Sequence, residues 1–235
     1  MAAWSVVMHR SEDVSAVVVA AGRSTRFGQN KLFLPLAGTP VLAWTLRAFE
    51  ECPAVCTIAL VLNAANLEAG RQLIAEHGLT KVRHLCLGGA RRQDSVLAGL
   101  EALGGCEWVA IHDGARPLVT PDLVSRGLAA ARATGAAIPG VPLKDTLKVV
   151  GPDDLVAATP ERARLRAIQT PQVFGYRLIL DAYRQARDEV TDDAALLEAL
   201  GHPVRVYPGS YDNLKITTAE DLGVAEALLR RRGVC

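Results

Sequence analysis

The chain has 235 residues, 50% of them hydrophobic, with 26 basic and 25 acidic residues and a formal net charge of +1. That length buries a substantial core in one main domain, residues 1–235, and the balanced charge argues against a bulk nucleic-acid or membrane-surface binder. No apolar run reaches the roughly 18 residues needed to span a bilayer, and the opening MAAWSVVMHRSEDVS lacks a basic n-region and a long apolar segment, so a cytoplasmic location is expected.

In chain order, VSAVVVAAG reads as an apolar strand ending in a glycine loop. PVLAWTLRAFEEC carries helical spacing at Leu42, Leu46 and Phe49, with Pro40 suited to the first turn. VCTIALVLN is a second buried strand, LEAGRQLIAEHG a helix closed by Gly78, and VRHLCLGG a third strand. RRQDSVLAGLEALGG then predicts a helix with Asp94 and Ser95 in its first turn, and EWVAIHDGARP a strand running into a loop. The stretch from Ile138 to Phe174 is different: rich in proline, with short alternating segments and no long helix. It reads as a projecting β-arm, an insertion over about residues 141–170. GYRLILDAYRQAR, TDDAALLEALG, PVRVYPG and TTAEDLGVAEALLRRR then resume the alternation, and Thr218 with Asp221 predicts a capped final helix. Apolar strands alternating with helices imply an α/β fold: a Rossmann-like, mostly parallel mixed sheet with helices on both faces. Ligands bind such sheets beyond the carboxyl ends of the strands, where the opening loop, GGARRQDS and HDGARP should converge.

The five cysteines, Cys52, Cys56, Cys86, Cys106 and Cys235, are odd in number and scattered, as expected of ordinary thiols in a reducing compartment. Cys52 and Cys56 have no downstream pair at zinc-ligand spacing.

The opening loop, VVVAAGRSTRFGQNKLFLPLAG, fits neither common glycine-rich fingerprint. No Ser or Thr follows Lys31, so the hydroxyl that holds magnesium in a P-loop is missing, and Ser24 occupies the second glycine position of a dinucleotide site. What remains is a strand, a small-residue turn (Ala20, Ala21, Gly22) and the cations Arg23, Arg26 and Lys31. Small residues let backbone N–H groups approach an anion, and the cations can neutralise phosphate oxygens. A solvated loop with incidental charge is the plainer alternative.

AAGRSTRFGQNK, GGARRQDSVLAGL, HDGARP, PLKDTLK, QTPQVF, TDDAALLEALG and DNLKITTAEDL, in this order, resemble the 2-C-methyl-D-erythritol 4-phosphate cytidylyltransferase family of sugar-nucleotide-type nucleotidyltransferases. The resemblance runs from about Val14 to Leu229. It implies cytidylyl transfer from CTP to methylerythritol phosphate with release of pyrophosphate, a magnesium cofactor, and a homodimer through the β-arm. It assigns Arg26 and Lys31 to transition-state stabilisation and the GGARRQDS segment, with Gly88, Gly89 and Ser95, to the cytosine. Asp113 and Arg116 fall near metal, ribose and substrate. Thr146 and Lys215 match methylerythritol-phosphate contacts, and Arg162 an arm arginine that reaches the neighbouring subunit's site, with Thr170 beside it. Arg164 and Arg166 lie close enough to exchange that role with Arg162. Ala90 stands where some relatives carry an acid after the double glycine.

The implied reaction suits these residues. A phosphate monoester is already largely ionised near neutrality, since its second pKa is about 6, so no general base is required. Joining two polyanions calls instead for fixed positive charge and magnesium. Asp113 is a reasonable hard oxygen ligand for that metal, or alternatively a turn residue. His112 is read as a packed or hydrogen-bonding neighbour. Asp192 and Asp193 are expected, with Thr191, to favour a helix N-terminus. Two other readings stay open: a cytidylyltransferase for another polyol phosphate such as ribitol 5-phosphate, and a non-catalytic nucleotide-binding module on the same fold.

Overall fold

The structure, a computed structural model, describes residues 14–22, 30–186 and 190–234. Uncharged, branched runs form its centre. Strand β1 (Val14–Ala20) lies between β2 (Val55–Leu62) and β4 (Trp108–Asp113), parallel to both, and β3 (Val82–Leu87) extends the parallel set beyond β2. Alternate side chains of β1 enter opposite layers. Ala16 and Val18 pack with helices α1 (Val41–Glu50), α4 (Pro121–Ala131) and α7 (Ala219–Arg231). Val17 packs with α3 (Arg92–Leu103), α5 (Tyr176–Gln185) and α6 (Ala194–Ala199) on the other face. Each fully buried Val or Leu contributes about 1.5–3 kcal/mol. The expected α/β architecture is therefore present; α2 (Leu67–Glu76) joins β2 to β3.

The far side of the sheet is mixed. Strand β5 (Ala136–Pro142) carries β8 (Arg166–Ile168) and β9 (Gln172–Gly175) end to end along one edge, both antiparallel. On its other edge lies β10 (Arg205–Pro208), parallel. Strand β9 also pairs antiparallel with β4 and so joins the two halves. Within the stretch 141–170, only β6 (Val149–Val150) and β7 (Val156–Ala158) form strands outside this sheet, as a separate two-stranded ribbon. The projecting segment is thus shorter than a 141–170 insertion. Residues 141–142 and 166–168 are ladder partners in the main sheet, and β5 is buried along nearly its whole length despite Pro139. Dense prolines and glycine imitate a loop there; Pro139 still offers its carbonyl, which accepts the Gln169 N–H at 2.8 Å.

Caps follow the sequence. Thr218 and Asp221 form the reciprocal capping box of α7, and Gly78 ends α2 at φ +61°. Helix α4, not among the expected elements, starts behind Thr120, whose side chain accepts the Leu123 N–H, with Pro121 in the first turn.

Candidate active site

Three strand ends meet at one rim. Gly88 N–H bonds Leu62 O at 2.8 Å, tying the turn after β3 to β2, and Gly114 N–H bonds Val19 O at 2.9 Å, tying the turn after β4 to β1. A Cβ on Gly88 would lie 2.4 Å from Ala21 Cβ and 2.7 Å from Ser95 Oγ, so only glycine lets these loops touch. The Ser95 hydroxyl accepts the Gly89 N–H at 3.2 Å and lies 3.1 Å from Arg91 O, which locks the turn onto the start of α3.

The loops enclose a cavity of about 300 Å³. Among the expected site residues, Ala20, Ala21, Gly22, Lys31, Gly89, Ser95, Asp113 and Lys215 line it, and Gly88 supports its wall. Lys31 opens a single-turn helix, Lys31–Phe33, capped by the Asn30 side chain on Leu32 N–H. Arg116 and Thr170 sit immediately behind Asp113 rather than in the lining. Thr146 and Arg162 lie on the projecting segment, both exposed, and do not line this cavity; the Arg162 guanidinium donates to Lys144 O. Arg26 lies outside the described residues.

The charged lining residues are Lys31, Arg91, Arg92 and Lys215 against the single carboxylate Asp113, among the described residues. Lys215 Nζ stands 2.9 Å from Asp113 Oδ2, Arg92 Nε 3.4 Å from Oδ1, and Arg116 Nε 3.7 Å from Oδ2. Burial alone would raise the Asp113 pKa, but Arg92, Lys215 and Arg116 outweigh it and hold the carboxyl far below the usual range. Arg116 donates to Asn213 O at 2.7 Å, while its buried Nε makes no hydrogen bond among the described residues. The Asn213 side chain in turn donates to Thr170 O at 2.8 Å, which seats the loop carrying Lys215.

His112 is fully buried, and its hydrogen bonds fix its tautomer. Nε2 faces the Arg116 carbonyl at 3.3 Å and must carry the proton, so Nδ1 accepts from the Thr170 hydroxyl at 3.0 Å. Thr170 Oγ1 then accepts the Asp113 backbone N–H at 3.1 Å. Burial, only partly offset by the Asp113 charge, pushes the His112 pKa down to about 3. The ring is a neutral spacer, as a packed hydrogen-bonding neighbour should be, and it supports Asp113 from behind.

Arg92 is a further site residue, not among those expected from the sequence. Its signal was the doubled arginine in GGARRQDS, but its anchor lies far along the chain: both its terminal nitrogens donate to the buried Asp193, at 2.7 and 2.8 Å. Asp193 therefore does not cap α6. Asp192 accepts the Ala195 N–H at 3.0 Å instead, while Asp193 makes no side-chain capping bond, because a fully buried carboxylate needs a cation more than a helix end does.

Residues 14–231 match the family described as 2-C-methyl-D-erythritol 4-phosphate cytidylyltransferase. A protein of that name from Dehalococcoides mccartyi is 51% identical over 95% of this chain and 99% of its own, and one from Pelotomaculum thermopropionicum is 46% identical over 94% and 96%. Among solved structures, 4-diphosphocytidyl-2C-methyl-D-erythritol synthase from Anaerococcus prevotii superposes with a TM-score of 0.84 at 32% identity, covering 94% of this chain and 97% of that one. The cytidylyltransferase from Thermus thermophilus gives 0.75 at 36% identity, covering 91% and 98%.

Proposed function

Because the chain belongs to the 2-C-methyl-D-erythritol 4-phosphate cytidylyltransferase family, we propose that it transfers the cytidylyl group of CTP to methylerythritol phosphate and releases pyrophosphate. The observation that carries this reading is the cationic cavity beside Asp113, formed where the loops after β1, β3 and β4 converge. Its small-residue turn and the opening of α3 suit a nucleotide, with Gly89 and Ser95 toward the base and Lys31 toward the phosphates.

In this reading a phosphate oxygen of the second substrate attacks the α-phosphorus of CTP, and the P–O bond to pyrophosphate breaks. The attacking monoester is already ionised, so no side chain has to remove a proton. His112, buried and neutral, fits a reaction without a histidine base. Lys31 and Lys215 face the cavity and stabilise charge gathering on the phosphoryl oxygens, and Arg26 is assigned the same role from the sequence.

Magnesium fits the donor set in one way. Asp113 is the sole lining carboxylate among the described residues, and no group of three or more His, Cys, Asp or Glu able to hold a metal occurs among them. A magnesium ion held by one carboxylate, phosphate oxygens and water suits such a site. Asp113 would hold it, and the ion would neutralise phosphate charge.

A homodimer is supported by the projecting ribbon. Leu147, Val149, Val150, Leu155 and Val156 are all exposed, at 40% to 71%, on or beside a two-stranded element too small to be stable alone. A second copy would cover it, bringing Arg162 and Thr146 to the neighbour's cavity. Among the described residues no helix is long and apolar enough to cross a membrane, and the scattered thiols Cys52, Cys56, Cys86 and Cys106 suit a cytoplasmic enzyme.

The test is incubation of purified protein with CTP, magnesium and methylerythritol phosphate, with ribitol 5-phosphate in parallel. Pyrophosphate release with the first acceptor is expected; no release, or a clear preference for the second, overturns the reading.

A further inference from the structure

We propose that Asp193, a buried carboxylate outside the cavity, is a positioning residue that holds Arg92 in the orientation the site requires, with Tyr183 fixing Asp193 in turn. The inference rests on the reading of the cavity as a CTP site. Asp193 is 0% exposed. Both its oxygens are engaged by Arg92, Oδ1 by Nη1 at 2.7 Å and Oδ2 by Nη2 at 2.8 Å, and the Tyr183 hydroxyl donates to Oδ1. A two-point pair of this kind fixes the plane of the guanidinium as well as its place. The remaining nitrogen, Nε, is thereby turned toward Asp113 Oδ1, but held at 3.4 Å.

Two carboxylates compete for one guanidinium. Asp193 takes the two terminal nitrogens and leaves Asp113 a single long contact. Asp113 is thus free to share its charge with Lys215 and with whatever the cavity binds. Without Asp193, Arg92 is released to close on Asp113 end-on and to compete with Lys215 for it.

The surrounding contacts show that Asp193 is placed independently of Arg92. Gln93 accepts the Val190 N–H at 3.3 Å, and Gln172 accepts the Ala194 N–H at 3.2 Å while donating to Asp192 Oδ2 at 3.1 Å. With Asp192 serving the helix end, the segment is registered on both sides of Asp193 before its carboxylate is counted. Burial first, and then the adjacent Asp193 charge, raises the Tyr183 pKa far above its usual value, so its hydroxyl stays a donor at all working pH.

The experiment compares wild type, Asp193→Asn, Arg92→Gln, the double variant and Tyr183→Phe. CTP affinity is measured by calorimetry without the second substrate, turnover by pyrophosphate release, and folding by thermal melting. Asp193→Asn is expected to lower kcat/KM roughly 10–100-fold, by analogy with loss of an outer residue that orients a metal ligand. The loss should fall on CTP affinity and kcat, with the KM for methylerythritol phosphate little changed. Because Asp193 acts through Arg92, the double variant should be no worse than Arg92→Gln alone. Tyr183→Phe should shift the same parameters in the same direction by a smaller factor, which keeps the test available if Asp193→Asn fails to fold. Wild-type CTP affinity and kinetics in folded Asp193→Asn or Tyr183→Phe overturn the inference. So do losses that simply multiply in the double variant. An inactive wild type would instead overturn the assignment of the reaction.

Discussion

Lys215 Nζ lies 2.9 Å from Asp113 Oδ2, although one residue ends a central strand and the other comes from a loop near the last helix. The lysine neutralises the only lining carboxylate among the described residues and still borders the cavity. Its removal should therefore act on the transition state more than on the fold. Lys215→Ala is expected to reduce kcat about 10²–10³-fold, as loss of a preorganised charge donor does. Steady-state pyrophosphate release, with circular dichroism confirming the fold, checks it; wild-type kcat would remove Lys215 from the machinery.

The buried His112 makes a prediction about acid. Its pKa is about 3 in the folded protein against an ordinary 6.5, so the native state binds fewer protons than the unfolded chain between those values. Its contribution to stability is complete above about pH 6.5 and is lost as pH falls toward 3, by up to roughly 1.4 kcal/mol per pH unit. Urea midpoints measured from pH 7 to pH 4 should fall more steeply for wild type than for His112→Gln. Parallel curves would show that another group dominates the acid limb.

Thr170 serves two buried partners at once, accepting from Asp113 N–H and donating to His112 Nδ1. Thr170→Val keeps the shape and removes both bonds, at about 1–3 kcal/mol for each group left unsatisfied. Thr170→Ser retains the hydroxyl and should lose less. Equal urea midpoints for the two variants would count against the network.

Arg162 is exposed and absent from the cavity lining of its own chain, which makes its proposed role in the partner's site testable by mixing. Arg162→Ala and Lys215→Ala should each be poorly active alone. Subunit exchange between them should restore activity to about a quarter of wild type per chain, since each mixed dimer regains one complete site. No recovery after verified exchange would place Arg162 elsewhere.

The ribbon makes a separate prediction. Leu155→Asp with Val156→Asp puts charge on two of the most exposed apolar side chains and should shift sedimentation from dimer to monomer, with activity falling in parallel. A variant that stays dimeric would move the interface away from this element.

What was legible in the sequence was what is contiguous. Gly88 to Ser95 and His112 to Arg116 announce their turns because the glycines, the cap and the charged residues are neighbours in the chain. Strand and helix periods likewise mark β1 to β4 and their connecting helices. Long-range pairing left no such trace. Arg92 looks like one of two interchangeable arginines until Asp193, just ahead of a different helix, is seen to hold it. The paired acids 192 and 193 look alike in sequence, yet one caps and the other is buried against a cation. Strand β5 was obscured for another reason: Pro139 and Gly140 suggest a loop locally, and only pairing on both edges makes them part of a sheet.

The cavity lining runs from Val19 to Thr217. Strand β1 and the turn after β3 leave the ribosome early, whereas Lys215 arrives near the end, seated by Ile216 N–H on Ala115 O at 2.8 Å. Domains fold largely as units during synthesis, with earlier segments waiting for later partners. The nascent chain thus keeps an open nucleotide wall until its C-terminal segment docks, and a product stopped before residue 215 lacks one of the three cations, with Arg92 and Arg116, that balance Asp113. Functional assembly is tied to completion of translation to this point, so prematurely terminated chains should be inert rather than partly active.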